Sequence, residues 1–297
     1  MSSYSELLKN SISTAPGKCK DETDPHEWAR LGLYLAARLM PRIRKRRFDV
    51  ELMKVGSKED GSPFTQLEHD IEEYCRNELA NFYPDAIMLG EESSSNAEVT
   101  DDLYMFVIDP IDGTRAFLSS YDTFSLTITI IKGKIPRFSL VANPATGDLA
   151  FRVGNETSHI ASLLTSGNDI EIRKLPLLKT SAEDPLLVNV HPSKSAKKYL
   201  DNLYELWESG FVSLVKSVSG SPSWQIVEAS KGTSIYVNTW KGGITMPFDL
   251  VSAFHILEGA GGIAYNINGG LTDPWTNAGP FIAGSNPDAV KSLVKKL

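Results

Sequence analysis

The stretch 103–117, LYMFVIDPIDGTRAF, limits the possible folds more than any other part of the 297-residue chain. Its apolar run, 103–108, reads as a buried strand. That strand runs straight into two carboxylates, Asp109 and Asp112, and then into Gly113 and Thr114. An ionised carboxylate is costly to bury without a partner. A fold that buries this strand must therefore bring hydrogen bonds or positive charge to its acidic end.

The residue types suggest which. Asp109 stands on a rigid strand end, Pro110 stiffens the turn, and Ile111 offers only its carbonyl. Asp112 returns to the same side one turn later. Gly113 lets a substrate approach the backbone closely. If a helix begins at Gly113 and Thr114, its free N–H groups favour a phosphate. Hard divalent cations such as Mg²⁺ take carboxylate, carbonyl and phosphate oxygens. The plainer reading is a strand followed by an Asx turn, with Asp112 capping a helix. The spacing here is D-x-x-D-G-T rather than the D-x-D of aspartyl-nucleophile phosphatases, so Asp109 is not assigned as a covalent nucleophile.

Elsewhere the pattern is mixed. Residues 1–23 are polar and read as a loose arm or a short helix. Asp24-Pro25 reads as an N-cap with proline at the first helical position. The helix behind it ends in the basic run 42–47, read as a solvated helix end. Thr65 and Glu68 have capping-box spacing and open a second helix, with Leu67, Ile71, Tyr74, Cys75 and Leu79 as its apolar stripe. AIMLGEES ends a short strand in acid, and the polar loop 93–102 follows. Residues 124–153 read as a β-meander, which gives the first 150 or so residues two helices and an antiparallel sheet. Strands at LLVNV, FVSLVKSV, SIYVN and FIAGS then alternate with helices near 193–209, 222–231, 249–260 and 286–297, an α/β layer. The division expected is 1–175, carrying helices, antiparallel sheet and most of the acids, and 176–297, an α/β half.

Composition narrows the function. A 41% hydrophobic chain of this length supports a sizeable core. The net charge of -7 disfavours wrapping a nucleic-acid polymer. There is no membrane-length apolar run and no signal-peptide pattern at the N-terminus. Two cysteines without a CxxC pair suit a reducing compartment. A cytoplasmic location is expected. The five histidines, His26, His69, His159, His191 and His255, show no metal-ligand spacing and read as surface or satisfied core. His191, Ser193 and Lys194 could face a cleft, although Ser193 also reads as an N-cap. Trp224 and Trp240 read as packing.

Three separated blocks, GEES (90–93), DPIDGT (109–114) and FDLVSAFHILEGAGG (248–262), resemble the inositol monophosphatase superfamily of Mg²⁺-dependent, lithium-sensitive phosphatases. The resemblance implies a layered α-β-α-β-α sandwich of the inositol monophosphatase / fructose-1,6-bisphosphatase type. It implies that Glu91, Asp109 and the Ile111 carbonyl hold a first metal, and Asp109, Asp112 and Asp249 a second. Glu91 and Thr114 would orient and deprotonate the attacking water, and Gly113 and Thr114 would present N–H groups to the phosphate. It further implies two or three Mg²⁺ ions, inhibition by Li⁺, a small phosphorylated metabolite as substrate, and a homodimer.

The chain departs from the family pattern in places. Glu68 stands where an aspartate tied to a third metal is usual; the capping box explains it without metal, and contact with the site through water stays open. Phe248 replaces a tryptophan before Asp249. Ser219, Gly220 and Ser221 fall where a G-T-A segment would meet the sugar, and Asn238 where a glutamate would. TMPFD is similar to the branch acting on 3′(2′),5′-bisphosphate nucleotides, and DPIDGTRAF also occurs in histidinol-phosphatases. Three readings result: an inositol monophosphatase-like phosphomonoesterase; a nucleotidase or histidinol-phosphatase of the same superfamily; and a weakly active relative that binds metal and phosphate.

Overall fold

The computed structural model describes residues 2–47, 55–57, 63–92, 103–163, 170–181, 184, 186–191, 193, 197–239, 247–275 and 279–297; the side chains of 2, 3, 55, 57 and 247–249 are outside that description. The loop 93–102, Lys194, Trp240 and 241–246 also lie outside it.

Helix α1 (Ser2–Ser13) comes first, then α2 (Pro25–Arg46). Asp24 caps α2 as its spacing predicts, accepting from His26 N–H at 2.9 Å, with Pro25 at the first helical position. A ribbon of β1 (Val55–Ser57) and β2 (Pro63–Thr65) leads into α3 (Gln66–Phe82). A seven-stranded sheet follows: β3 (Ile87–Gly90), β4 (Tyr104–Asp112), then a one-turn helix α4 (Thr114–Leu118), β5 (Ser125–Lys132), β6 (Ile135–Asn143), β7 (Asp148–Val153), β8 (His159–Ser162) and β9 (Ile172–Lys174), in that spatial order.

The C-terminal half contains β10 (Leu186–His191), α5 (Lys197–Glu208), β11 (Val212–Ser217), α6 (Pro222–Ser230), β12 (Ile235–Asn238), α7 (Pro247–Gly259), β13 (Ile263–Asn266), β14 (Phe281–Gly284) and α8 (Pro287–Val294). Its sheet runs β11-β10-β12-β14-β13.

Three apolar layers hold these elements together. Leu8, Trp28, Leu35, Ile71 and Phe82 pack α1, α2 and α3 on one face of the large sheet, against Phe106, Ile108, Ile128 and Phe138. Val141, Ala150 and Ile160 on the opposite face meet α6 and α7 through Ile226, Val227, Ala253 and Ile256, with Tyr236 and Phe281 of the smaller sheet beyond. Val188, Val190 and Ile282 cover the outer face of the smaller sheet with Leu203 of α5 and Leu293 of α8. The order is therefore helix, sheet, helix, sheet, helix. The apolar phase of each strand sends alternate side chains into adjacent layers, which is why β4 is buried throughout.

Three details differ from the sequence expectation. The large sheet is not wholly antiparallel, because β3 pairs with β4 in parallel; the segment 91–103 is long enough for the crossover that parallel neighbours need. The sequence reading has no strand at β1, β2, β8, β9 or β13; at three or four residues they are too short to show a period. The basic run is not simply a solvated end. Arg44 and Lys45 are exposed, but Arg42 lies over the Tyr74 ring at 4.5 Å. Arg47 is buried and donates to Asp122 and to the Ser120 carbonyl. It therefore ties α2 to the loop after α4.

Helix α1 settles the open question about the N-terminal arm. Leu8 is fully buried, and Tyr4 packs on Phe151 and His159. Those rings sit on β7 and β8, three and four strands from β4, roughly 14–19 Å at the usual strand spacing. Removing residues 1–23 is expected to lower unfolding stability by about 2–4 kcal/mol, the burial of one or two large aliphatic side chains. Chemical denaturation measures the loss, and turnover at low temperature is expected to stay within about twofold. Among the described residues, no helix is long and apolar enough to cross a membrane.

Candidate active site

A β-bulge explains why the two aspartates stand three apart. Asp109 pairs with Thr127 and Asp112 with Ser125, so three steps on β4 match two on β5. In a regular strand, residues an odd number apart face opposite sides. The extra residue returns Asp112 to the face of Asp109 and re-aims both at the strand end. Both are buried, at 1% and 4% exposure.

Each carboxylate is held. Asp109 Oδ1 accepts from Ile111 N–H at 2.8 Å. Asp112 Oδ2 accepts from the Ser221 hydroxyl and from Ser223 N–H, the latter at 3.0 Å. Ser221 is the N-cap of α6 and itself accepts from Trp224 N–H at 2.8 Å. Asp112 thus caps a distant helix rather than its own; α4 is capped by Gly113. The positive end of α6 favours that carboxylate. Burial still pushes Asp112 up to about 6, with the Ser221 and Ser223 hydrogen bonds opposing and the Glu91 charge adding to the rise.

Gly113 has φ 89°, and a Cβ there would stand 2.6 Å from Ser221 N. Gly220 has φ 101°, and its Cβ would collide with the Thr123 carbonyl. Only glycine lets these two backbone turns meet, so the approach expected of Gly113 is used first by the chain itself.

Glu68 sits at the start of α3 with no exposed surface. It accepts from Thr65 N–H, as in a capping box, and from the Thr114 hydroxyl at 3.0 Å. The Thr114 hydroxyl is also 3.2 Å from the Ile111 carbonyl. Burial pushes Glu68 up to about 8; its hydrogen bonds to Thr65 and Thr114 oppose, and Glu92 adds to the rise. Glu68 therefore touches the DPIDGT turn directly, and no intervening water is required. Glu91 directly follows β3, with its N–H donating to the Ile108 carbonyl at 3.3 Å, one residue before Asp109.

Roles that the sequence did not show complete the picture. Ser221 and Ser223 hold Asp112 from more than a hundred positions away. Glu72, one turn past Glu68, is buried and accepts from Glu92 N–H at 2.8 Å. A weak signal for it existed: it is an acid beside Ile71 and Cys75 on the apolar stripe of α3. The Glu92 backbone is held by this bond.

On the far side, Asn238 ends β12 at 2% exposure, level with His191 and Phe281. Gly220 precedes α6, and Ser219 beside it is exposed. The Ser193 hydroxyl bonds the Thr239 hydroxyl at 2.9 Å, and Thr239 donates to the His191 carbonyl at 2.7 Å; residues 194–196, between Ser193 and α5, are outside the described residues. Trp224 is core, as read. Asp249 lies in the first turn of α7, and its side chain is outside the described residues.

Among the described residues, no three Asp, Glu, His or Cys side chains converge closely enough to enclose an ion unaided. The donor set nevertheless fits a hard divalent cation. Glu68, Glu91, Asp109, Asp112 and the Ile111 carbonyl supply only oxygens. The charges acting on buried Asp112 and Glu68 are those of Glu91 and Glu92, so negative groups face negative groups. A cation relieves that repulsion.

The sequence model of the inositol monophosphatase family matches residues 24–297. The bifunctional phosphatase IMPL2, chloroplastic, of Arabidopsis thaliana is 25% identical over 85% of this chain and 68% of its own length. The 3′(2′),5′-bisphosphate nucleotidase CysQ of Buchnera aphidicola is 24% identical over 52% of this chain and 56% of its own length. The chain thus spans little more than half of that nucleotidase. Among solved structures, the extragenic suppressor protein suhB of Bartonella henselae superposes with a TM-score of 0.73 at 19% identity, covering 91% of this chain and 97% of that one. Helix α1 precedes the family match altogether.

Proposed function

We propose that this chain, which belongs to the inositol monophosphatase family, is a Mg²⁺-dependent phosphomonoesterase of small phosphorylated metabolites, with inositol monophosphate as its reference substrate. The observation that carries the reading is the β4 bulge, which turns Asp109 and Asp112 to one face beside the Glu68–Thr114 hydrogen bond. A structural neighbour, an IMPase/NADP phosphatase with a TM-score of 0.72, was solved with Mg²⁺ and phosphate, which supports the choice of ion.

In this reading Glu91, Asp109, Asp112, Asp249 and the Ile111 carbonyl hold two ions, and Glu68 stands where a third would sit. Bound Mg²⁺ supplies a water of lowered pKa and offsets charge on the attacking and leaving oxygens. The chain does the rest. Thr114 donates its hydroxyl proton towards Glu68 Oε1, which leaves its lone pair free to accept from the attacking water. Glu91 orients the same water. Gly113 and Thr114 turn backbone N–H groups to the phosphate. Ser219, Gly220 and Asn238 face the leaving alcohol, and the Asn238 amide can bond a hydroxyl without adding charge. A cytoplasmic homodimer is the proposed setting.

A panel of phosphate esters at fixed Mg²⁺ tests this. Inositol 1-phosphate is expected to give the highest kcat/KM, above adenosine 3′,5′-bisphosphate and histidinol phosphate. Chelation should abolish turnover, and Li⁺ should inhibit it. A folded protein that hydrolyses no ester of the panel with Mg²⁺ overturns the reading.

A further inference from the structure

We infer that Glu72 is a positioning residue that holds Glu91 at the metal site; the inference rests on the metal-dependent reading above. Glu72 Oε1 accepts from Glu92 N–H at 2.8 Å, just past Glu91. Just before Glu91, Gly90 leaves the place of a side chain empty, and the Glu72 carboxylate fills it: a Cβ at Gly90 would collide with all three carboxylate atoms. Glu91 N–H is fastened to the Ile108 carbonyl at 3.3 Å. The Glu91 backbone is therefore gripped by α3 on one side and β4 on the other, and its side chain has little freedom in where it departs.

A second observation shows that this carboxylate is not simply a structural filler. Glu72 is 2% exposed, and among the described residues its Oε2 has no hydrogen-bond partner. A buried carboxylate with an unused oxygen opposes folding, and an apolar side chain would pack there at lower cost. Retaining it fits a group whose service is to the neighbouring acids. Ligating carboxylates are oriented by hydrogen-bonded partners behind them, whose loss weakens metal affinity by about 10–100-fold. Glu72 is such a partner acting through backbone, since it touches the Gly90–Glu92 turn and not the ion.

The test is Mg²⁺ titration by calorimetry on the full chain, without substrate, for wild type, Glu72→Ala, Glu72→Gln and Gly90→Ala. Glu72→Ala is expected to weaken Mg²⁺ binding by about 10–100-fold. At saturating Mg²⁺, kcat and KM should stay near wild type. Glu72→Gln should recover most of the affinity, because its amide oxygen still accepts from Glu92 N–H. Exchange of the Glu92 amide proton, measured without metal, should quicken in Glu72→Ala. If Glu72→Ala does not fold, Gly90→Ala carries the test, since it displaces the carboxylate and leaves residue 72 intact. Wild-type affinity in either variant overturns the inference, as does a Gln variant no better than Ala. A wild-type protein that binds no Mg²⁺ instead overturns the reading of the site, before any variant is compared.

Discussion

Asp109→Asn is expected to lower phosphate release by about a thousandfold or more while the protein melts within a few degrees of wild type. The two halves of that result have separate causes. Asparagine keeps the oxygen that accepts from Ile111 N–H, so the turn after β4 retains its bond. It also removes one charge from a buried acidic group, which by itself favours the folded state. Catalysis has no such compensation. In the proposed site Asp109 is shared by both ions, and losing it removes several kcal/mol of transition-state charge stabilisation. At about 1.4 kcal/mol per decade, that is three decades or more. Steady-state turnover with Mg²⁺, set beside a circular-dichroism melt, measures both halves. Retention of more than a tenth of wild-type turnover would remove Asp109 from its role.

How much of this site is legible in the sequence depends on how local each part is. The DPIDGT turn, the Asp24 cap and the Glu68–Thr65 contact lie within a few residues of chain. Their local geometry follows from spacing: a helix starts at Gly113 and Thr114, Asp24 caps α2 and Glu68 meets Thr65, as read. The spacing of Asp109 and Asp112 was legible as unusual, but its cause was not. A bulge is a property of two strands, and β5 supplies half of it. Ser221 and Ser223 were hidden for the same reason: nothing in their own neighbourhood marks them as partners of Asp112. The parallel entry of β3 and the short strands β8, β9 and β13 depend on which edges remain open after longer strands have paired. Arg47 shows the converse error. A run of basic residues looks uniform in sequence, yet one member is buried because a carboxylate and a carbonyl lie opposite it.

Acidification from pH 7 towards pH 4 is expected to destabilise the fold through one buried histidine, whatever the site does. His255 of α7 lies between the sheet and the Arg152 guanidinium at 6% exposure. Its Nδ1 meets the Ser139 hydroxyl and its Nε2 the Gly154 carbonyl, both at 2.9 Å, a pair that suits a neutral ring donating from Nε2. Burial first, and then Arg152, push its pKa down to about 3; the Gly154 bond opposes them. The unfolded ring titrates near 6.5, so between about 6.5 and 3 the unfolded chain binds the extra proton. The stabilisation from keeping His255 neutral is complete above the unfolded pKa and is lost as pH falls through this window. The slope is about 1.4 kcal/mol per pH unit, and the total is on the order of 5 kcal/mol. Carboxylates titrate in the same range, so the comparison must be differential. His255→Gln keeps an acceptor and a donor and cannot take up the proton. It should be less stable than wild type at pH 7.5, by roughly 1–2 kcal/mol for the imperfect fit. In urea melts the gap should then narrow at pH 6, close near pH 5 and reverse by about 1–2 kcal/mol at pH 4. A gap that stays constant across those melts would show that His255 is not held neutral, and the packing of α7 on β6 and β7 would need another account.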